Sequence, residues 1–226
     1  MSRVRPVAGG GRAVEVPPER LDGWFSRFAL RHGGAVSTAV TPDRCLVTAV
    51  DGATAEVSAA FGEFTPPGEH EGLVLDAVLA HASTSRRIGL LLVRLGGHSI
   101  GVAQDGVVLV STTDSRQVHG RNKAGGWSQQ RFARRREGQA RVALQAAADD
   151  AARVLAPRVG ELDAVVLGGD RQALDALRDD RRLGEVFALA SPRVLDVPEP
   201  RRAVLDEAAV RARAVEVVVR ETPGNS

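Results

Sequence analysis

The chain has no tyrosine, one cysteine, one methionine and one lysine, and aromatic residues make up only 4% of it. Each shortage excludes something. A single cysteine, Cys45, allows neither an internal disulfide nor a multi-thiolate zinc site, and it fits a reducing compartment. With so few aromatics the core must come from Val, Leu and Ala. The longest strongly apolar run, residues 88–93, is far shorter than the ~20 residues a membrane helix requires. The opening stretch, MSRVRPVAGGGRAVEV, carries basic residues but no apolar run of signal-peptide length. The expectation is a soluble, cytoplasmic protein.

Residues of one charge sign are not in large excess either. Thirty Lys plus Arg face 28 Asp plus Glu, a formal net charge of +2. Lys123 is the one lysine, so the basic residues are almost all arginines, a compositional bias that by itself says nothing about partners. What matters is whether the charge is clustered. The length of 226 residues suits one sizeable domain or two small ones, with 43% hydrophobic and 26% charged residues as in ordinary globular chains.

Residues 1–16 read as a flexible tail containing Pro6 and Gly9-Gly10-Gly11. Pro17-Pro18-Glu19 begins a helix with Leu21, Trp24, Phe25 and Phe28 on one face, stopped at Gly33-Gly34. Residues 46–50 and 55–59 flank Asp51-Gly52, a hairpin signal. Residues 73–82 suit a short helix. Residues 88–95, 99–103 and 107–111 form a meander joined at Gly96-Gly97 and Asp105-Gly106.

Beyond Gln129 the texture changes. Residues 129–155 contain no proline and one glycine, Gly138, with Val142, Leu144, Ala147, Ala148, Ala151 and Leu155 along the later turns. This predicts one long helix, basic at its start and packed on a sheet at its end. A strand at 162–167, a helix at 172–183, a strand at 193–197 and a final helix over about 202–220 follow. A β-rich first half and an alternating second half imply an α/β fold with a mixed β-sheet flanked by helices. No repeat and no long linker divides 17–226, which reads as a single domain.

The familiar catalytic signatures do not occur. The segment 120–126 has glycines and a lysine but not the order of a phosphate-binding P-loop, and no dinucleotide fingerprint is present. His32, His70, His81, His98 and His119 are scattered without metal-ligand spacing and read as surface or internally satisfied residues. The sequence therefore implies no metal and no cofactor.

Residues 119–136 differ because their features compound. Arg121, Lys123, Arg131, Arg134, Arg135, Arg136 and Arg141 are opposed over 121–141 only by Glu137. Positive charge at a helix start is unfavourable, because the macrodipole there is already positive. A phosphate backbone meeting that helix start and its guanidiniums resolves the conflict. Gly125-Gly126 lets the backbone enter a narrow passage and bring its N–H groups to a ligand. Trp127 either anchors the loop or stacks on a nucleobase.

This stretch resembles the catalytic loop of the release-factor superfamily that frees peptides from tRNA. Archaeal and eukaryotic class-I release factors carry Gly-Gly-Gln on a flexible basic loop, followed by a long helix beginning Ser-x-x-Arg-Phe. Here Gly125-Gly126 precedes Trp127 where those factors place glutamine, and Ser128-Gln129-Gln130-Arg131-Phe132 matches the helix start. The likeness is closer to the Vms-type and ANKZF-type peptidyl-tRNA hydrolases of ribosome quality control and their bacterial relatives. Their loop carries Gly-x-x-Gln, which Gly126-Trp127-Ser128-Gln129 satisfies.

The resemblance implies the fold of the central, catalytic domain of eukaryotic-type class-I release factors. It also implies hydrolysis of the ester between nascent peptide and tRNA on stalled ribosomes or large subunits. Gln129 becomes the catalytic residue, with Gln130 the runner-up if the register slips by one, and Gly125 and Gly126 shape the loop. Arg121, Lys123, Trp127, Arg131, Arg134, Arg135 and Arg136 would hold the CCA end of peptidyl-tRNA or rRNA. An amide that positions water needs no titrating partner. The zinc finger, ankyrin repeats and segregase-binding helix of the eukaryotic relatives have no counterpart in this sequence. Two alternatives remain open: a non-catalytic tRNA- or ribosome-binding module using the same basic loop, and a nuclease, against which the unclustered carboxylates weigh.

Overall fold

The computed structural model describes residues 4–94, 96–115 and 127–222, with side chains from 138 onward in the last of these and up to 114 in the one before. Two compact units are distinguished: residues 1–85 with 213–226, and residues 86–212.

The first unit is built on a seven-stranded antiparallel sheet. Its strands are β1 (Val4–Pro6), β2 (Arg12–Val16), β3 (Ala35–Val40), β4 (Arg44–Ala49), β5 (Thr54–Ser58), β6 (Gly68–Glu71) and β12 (Val215–Arg220). They lie in the order β1-β2-β12-β5-β4-β3-β6. Alternation puts one face inside: Cys45, Val47 and Ala49 of β4, Ala55 and Val57 of β5, and Val217 and Val219 of β12 are all buried. Helix α1 (Leu21–Arg31) lays Leu21, Phe25 and Phe28 on this core, and α2 (Asp76–Ser83) adds Ala77 and Val78. At the β4–β5 turn Asp51 Oδ1 accepts from the Ala53 amide at 2.9 Å, which holds the predicted hairpin corner.

Two segments of this unit depart from the sequence reading. Residues expected to form a tail include β1 and β2, and β2 pairs with β12 at Val14↔Val217. The glycines at 9–11 only join the two strands, while the buried Ala13, Val14 and Val16 of β2 supply the core face. The final helix, expected to reach about 220, ends at Arg213; α6 is Arg202–Arg213 and β12 follows. The β-branched run Val217-Val218-Val219 fits a pleated surface better than a helix, and its cross-strand partners Val14 and Val57 bury it on both sides. Strands β3 and β6, also absent from the sequence reading, complete the sheet edge.

The second unit holds a five-stranded mixed sheet, β11-β10-β7-β8-β9, made of β7 (Arg87–Arg94), β8 (Gly97–Gln104), β9 (Val107–Ser115), β10 (Ala164–Gly169) and β11 (Ala190–Leu195). Strands β7, β8 and β9 form the antiparallel meander; β10 runs parallel to β7 and to β11. Asp105 (φ 51°) and Gly106 (φ 84°) both have positive φ, as a two-residue type I′ hairpin turn demands. Strand β7 is buried from Ile88 to Val93, the continuous apolar run of a strand covered on both faces.

Helix α3 (Trp127–Val154) and α4 (Arg171–Arg178) cover one face, packing on Leu91, Val93, Ile100, Val102 and Leu167. The opposite face receives Leu205 of α6, which approaches Gly101 so closely that a Cβ there would meet Leu205 Cδ2 at 3.0 Å. The helix expected at 172–183 is divided. Asp180 accepts from the Arg182 amide at 2.9 Å and starts a new turn at Arg181–Leu183, leading into α5 (Gly184–Ala188).

Candidate functional site

Strand β9 ends at Ser115 and α3 begins at Trp127, so the basic, glycine-bearing stretch lies in sequence between and across those two bounds. Arg121, Lys123, Gly125 and Gly126 lie outside the described residues. Trp127, Gln129, Gln130, Arg131, Arg134, Arg135 and Arg136 fall in the first turns of α3 by backbone position. No acidic residue lies in the first turn of that helix. The electrostatic conflict read from the sequence is therefore located at a real helix start.

The packing of α3 is uneven along its described length. Residues 138–146 contribute no buried side chain, whereas Ala147, Ala148, Ala151 and Val154 are buried against the sheet. Gln129 precedes Ala147 by 18 positions, which at the α-helical rise is about 27 Å along the axis.

That anchoring has two polar clasps. The first joins α3 to β8 and β9. His98 Nε2, on a residue 2% exposed, lies 2.8 Å from Asp150 Oδ2, and Arg153 Nη2 donates to Asp150 Oδ1 at 2.6 Å. Thr112 Oγ1 donates to Asp150 Oδ2 at 3.4 Å and accepts from Arg153 at 3.2 Å. Burial pushes the Asp150 carboxyl up, but its hydrogen bonds with His98 and Arg153 outweigh this and hold it below the usual aspartate range.

The second clasp is on the surface. Arg182 Nη2 donates to Asp149 Oδ1 at 2.8 Å and to Asp180 Oδ2 at 2.6 Å, lying between α3 and the turn after α4. Its hydrogen bonds to Asp180 and Asp149 raise the guanidinium further and lower both carboxyls.

Nothing in the local sequence signals the His98–Asp150 pair, because its members are 52 positions apart and meet only when α3 lies across the meander. The sequence reading of His98 as an internally satisfied residue agrees with its burial beside a carboxylate. Among the described residues no group of three His, Cys, Asp or Glu is arranged to hold a metal ion. Among them too, no helix is long and apolar enough to cross a membrane.

Comparison with solved structures finds distant likenesses. An archaeal translation termination factor, aRF1, is 15% identical with a TM-score of 0.42, over 74% of this chain and 48% of that one. The chain thus spans about half the length of that factor. Dom34 of S. cerevisiae, a translation termination-like factor involved in RNA quality control pathways and interacting with Hbs1, is 7% identical with a TM-score of 0.35, over 93% and 69% of the two chains. Pelota of Archaeoglobus fulgidus is 15% identical with a TM-score of 0.28, over 93% and 67%. No curated protein matches the chain. The family model described as Actinobacteria/chloroflexi VLRF1 release factor matches residues 86–218, which begins at the first residue of the second unit and takes in the meander, the basic loop and all of α3. Because that match covers more than half of the 226 residues, the chain belongs to the Actinobacteria/chloroflexi VLRF1 release factor family.

Proposed function

We propose that this protein is a peptidyl-tRNA hydrolase of release-factor type, cleaving the ester between nascent peptide and tRNA on stalled ribosomes or large subunits. The observation that carries the reading is Gly126-Trp127-Ser128-Gln129 at the start of a 28-residue helix whose buried contacts are, among the described residues, confined to its last turns. By backbone position Gln129 stands about 27 Å along that helix from Ala147, the first described residue buried against the sheet. A loop at that position reaches a substrate held in a narrow RNA cavity.

The ester needs a water on its carbonyl carbon, a donor for the oxyanion that develops, and departure of the ribose 3′-oxygen with a proton. The Gln129 amide accepts from the water and donates to developing charge without titrating, and Gln130 takes this role if the register is displaced by one. Gly125 and Gly126 allow backbone N–H groups to approach the carbonyl. Arg121, Lys123, Arg131, Arg134, Arg135 and Arg136 hold phosphates of the acceptor end or of rRNA, and Trp127 stacks on a base or anchors the loop. The role is ribosome rescue in the cytoplasm.

Incubation of the purified protein with peptidyl-tRNA, free and on large subunits, tests the reading. Release of peptide with an intact tRNA 3′ end is expected, undiminished by a zinc chelator. Tight binding without release would leave only a binding module, and tRNA shortened at its CCA end would make the protein a nuclease.

A further inference from the structure

Helix α1 of the first unit carries a second basic surface, outside the matched residues 86–218 and independent of the hydrolase reading. Trp24, Arg27 and Arg31 are separated by three and four positions, the spacing that aligns side chains along one side of a helix, and Arg20 stands immediately before α1, four positions ahead of Trp24. The three arginines are exposed, and none has a side-chain ion pair or hydrogen bond among the described residues. Arg5, Arg12, Arg213 and Arg220 of the same unit, by contrast, pair with Glu216, Glu221, Glu19 and Glu56. The nearest acids do not cancel the stripe. Glu19 is engaged by Arg213 at 3.0 Å, and Asp22 lies about 160° round the helix from Trp24.

Trp24 sits in the middle of the stripe and is partly buried. Its ring is stacked parallel to Phe28, with centroids 5.9 Å apart and planes inclined by 4°, and lies edge-on to Phe25 at 5.0 Å. Two core phenylalanines therefore fix the orientation of an indole flanked by guanidiniums. A platform of fixed aromatic and unpaired arginines suits one ligand chemistry, a phosphodiester backbone with unpaired bases. A lipid surface fits less well, because the apolar face of α1 (Leu21, Phe25, Phe28) is already spent on the core. From Arg20 to Arg31 the stripe runs about 16 Å along the axis.

We propose that α1 is a single-stranded RNA contact surface, with Arg20, Arg27 and Arg31 on phosphates and Trp24 stacking on a base. Trp24 and Trp127 are the two tryptophans of the chain, so a Trp127→Phe protein reports on Trp24 alone. Titration of that full-length protein with an unstructured 20-nucleotide RNA should quench its fluorescence. Replacing Arg20, Arg27 and Arg31 with glutamine should weaken binding at least tenfold and reduce the log–log salt slope by about 2, roughly 0.7 for each phosphate released. An unchanged thermal unfolding profile is expected, since all three side chains are exposed. A duplex of the same length should bind more weakly and leave Trp24 unquenched. The proposal is overturned if the glutamine variant keeps its affinity and salt slope, or if Trp24 is quenched by neither RNA. It is overturned too if the substitutions abolish binding to anionic phospholipid vesicles while RNA binding is untouched.

Discussion

His98 Nε2 and Asp150 Oδ2 are 2.8 Å apart, a contact that ties the second strand of the meander to the long helix, with His98 buried and Asp150 partly exposed.

Asp150→Ala leaves the buried His98 nitrogen without its partner and should destabilise the fold by about 1–3 kcal/mol. Because the Asp150 carboxyl is held below its ordinary value of 3.8, its stabilisation is fully present above that value. As the pH falls through the lower folded value, this contribution is lost. Urea unfolding at pH 7 and at pH 3 checks this: the gap between wild type and Asp150→Ala should narrow in acid.

Cys45 is fully buried on β4, and burial pushes its thiol up to about 11. At pH 8 it should therefore react with an aromatic disulfide reagent only as fast as the first unit opens. Added denaturant should accelerate labelling by orders of magnitude. Prompt labelling in native buffer would contradict the placement of β4.

Gln129→Ala removes one amide and keeps the basic residues, both glycines and the helix. Turnover on peptidyl-tRNA should fall by about 10²–10³, the effect of losing one positioned donor, while tRNA binding persists. Gln130→Ala, about 100° further round the helix, should be much milder. Reversal of the two effects would move the catalytic role to Gln130. Full activity in the double variant would remove the glutamine mechanism altogether.

Alanine at both Arg134 and Arg135 should weaken RNA binding and lower its salt slope by roughly 0.7–0.9 for each phosphate that is no longer neutralised. The measurement is filter binding across a salt series. An unchanged slope would make these arginines a solvated face.

Much of the second unit is local in origin, and so it was legible. Asp105-Gly106 specifies a two-residue turn by backbone conformation, the short 88–93 run bounded by turn signals suits a covered strand, and the proline-free stretch after Gln129 has one periodic apolar side. The candidate site at the start of that helix is a local reading too: glycines, glutamines and arginines are contiguous there, within the residues that the family model matches.

What the tertiary structure decided is whatever joins distant positions. Val217 is a strand residue because Val14 and Val57 flank it, and the same six-residue stretch has no such partners when read alone. Arg12–Val16 is a strand, not a tail, for the same pairing reason. Asp150 meets His98 only through the lie of α3 across the sheet, and Glu19, next to Arg20 in sequence, pairs instead with the distant Arg213. Period and turn chemistry are properties of neighbours in the chain; strand partners and long-range polar contacts depend on loop closures whose outcome only the packed core selects.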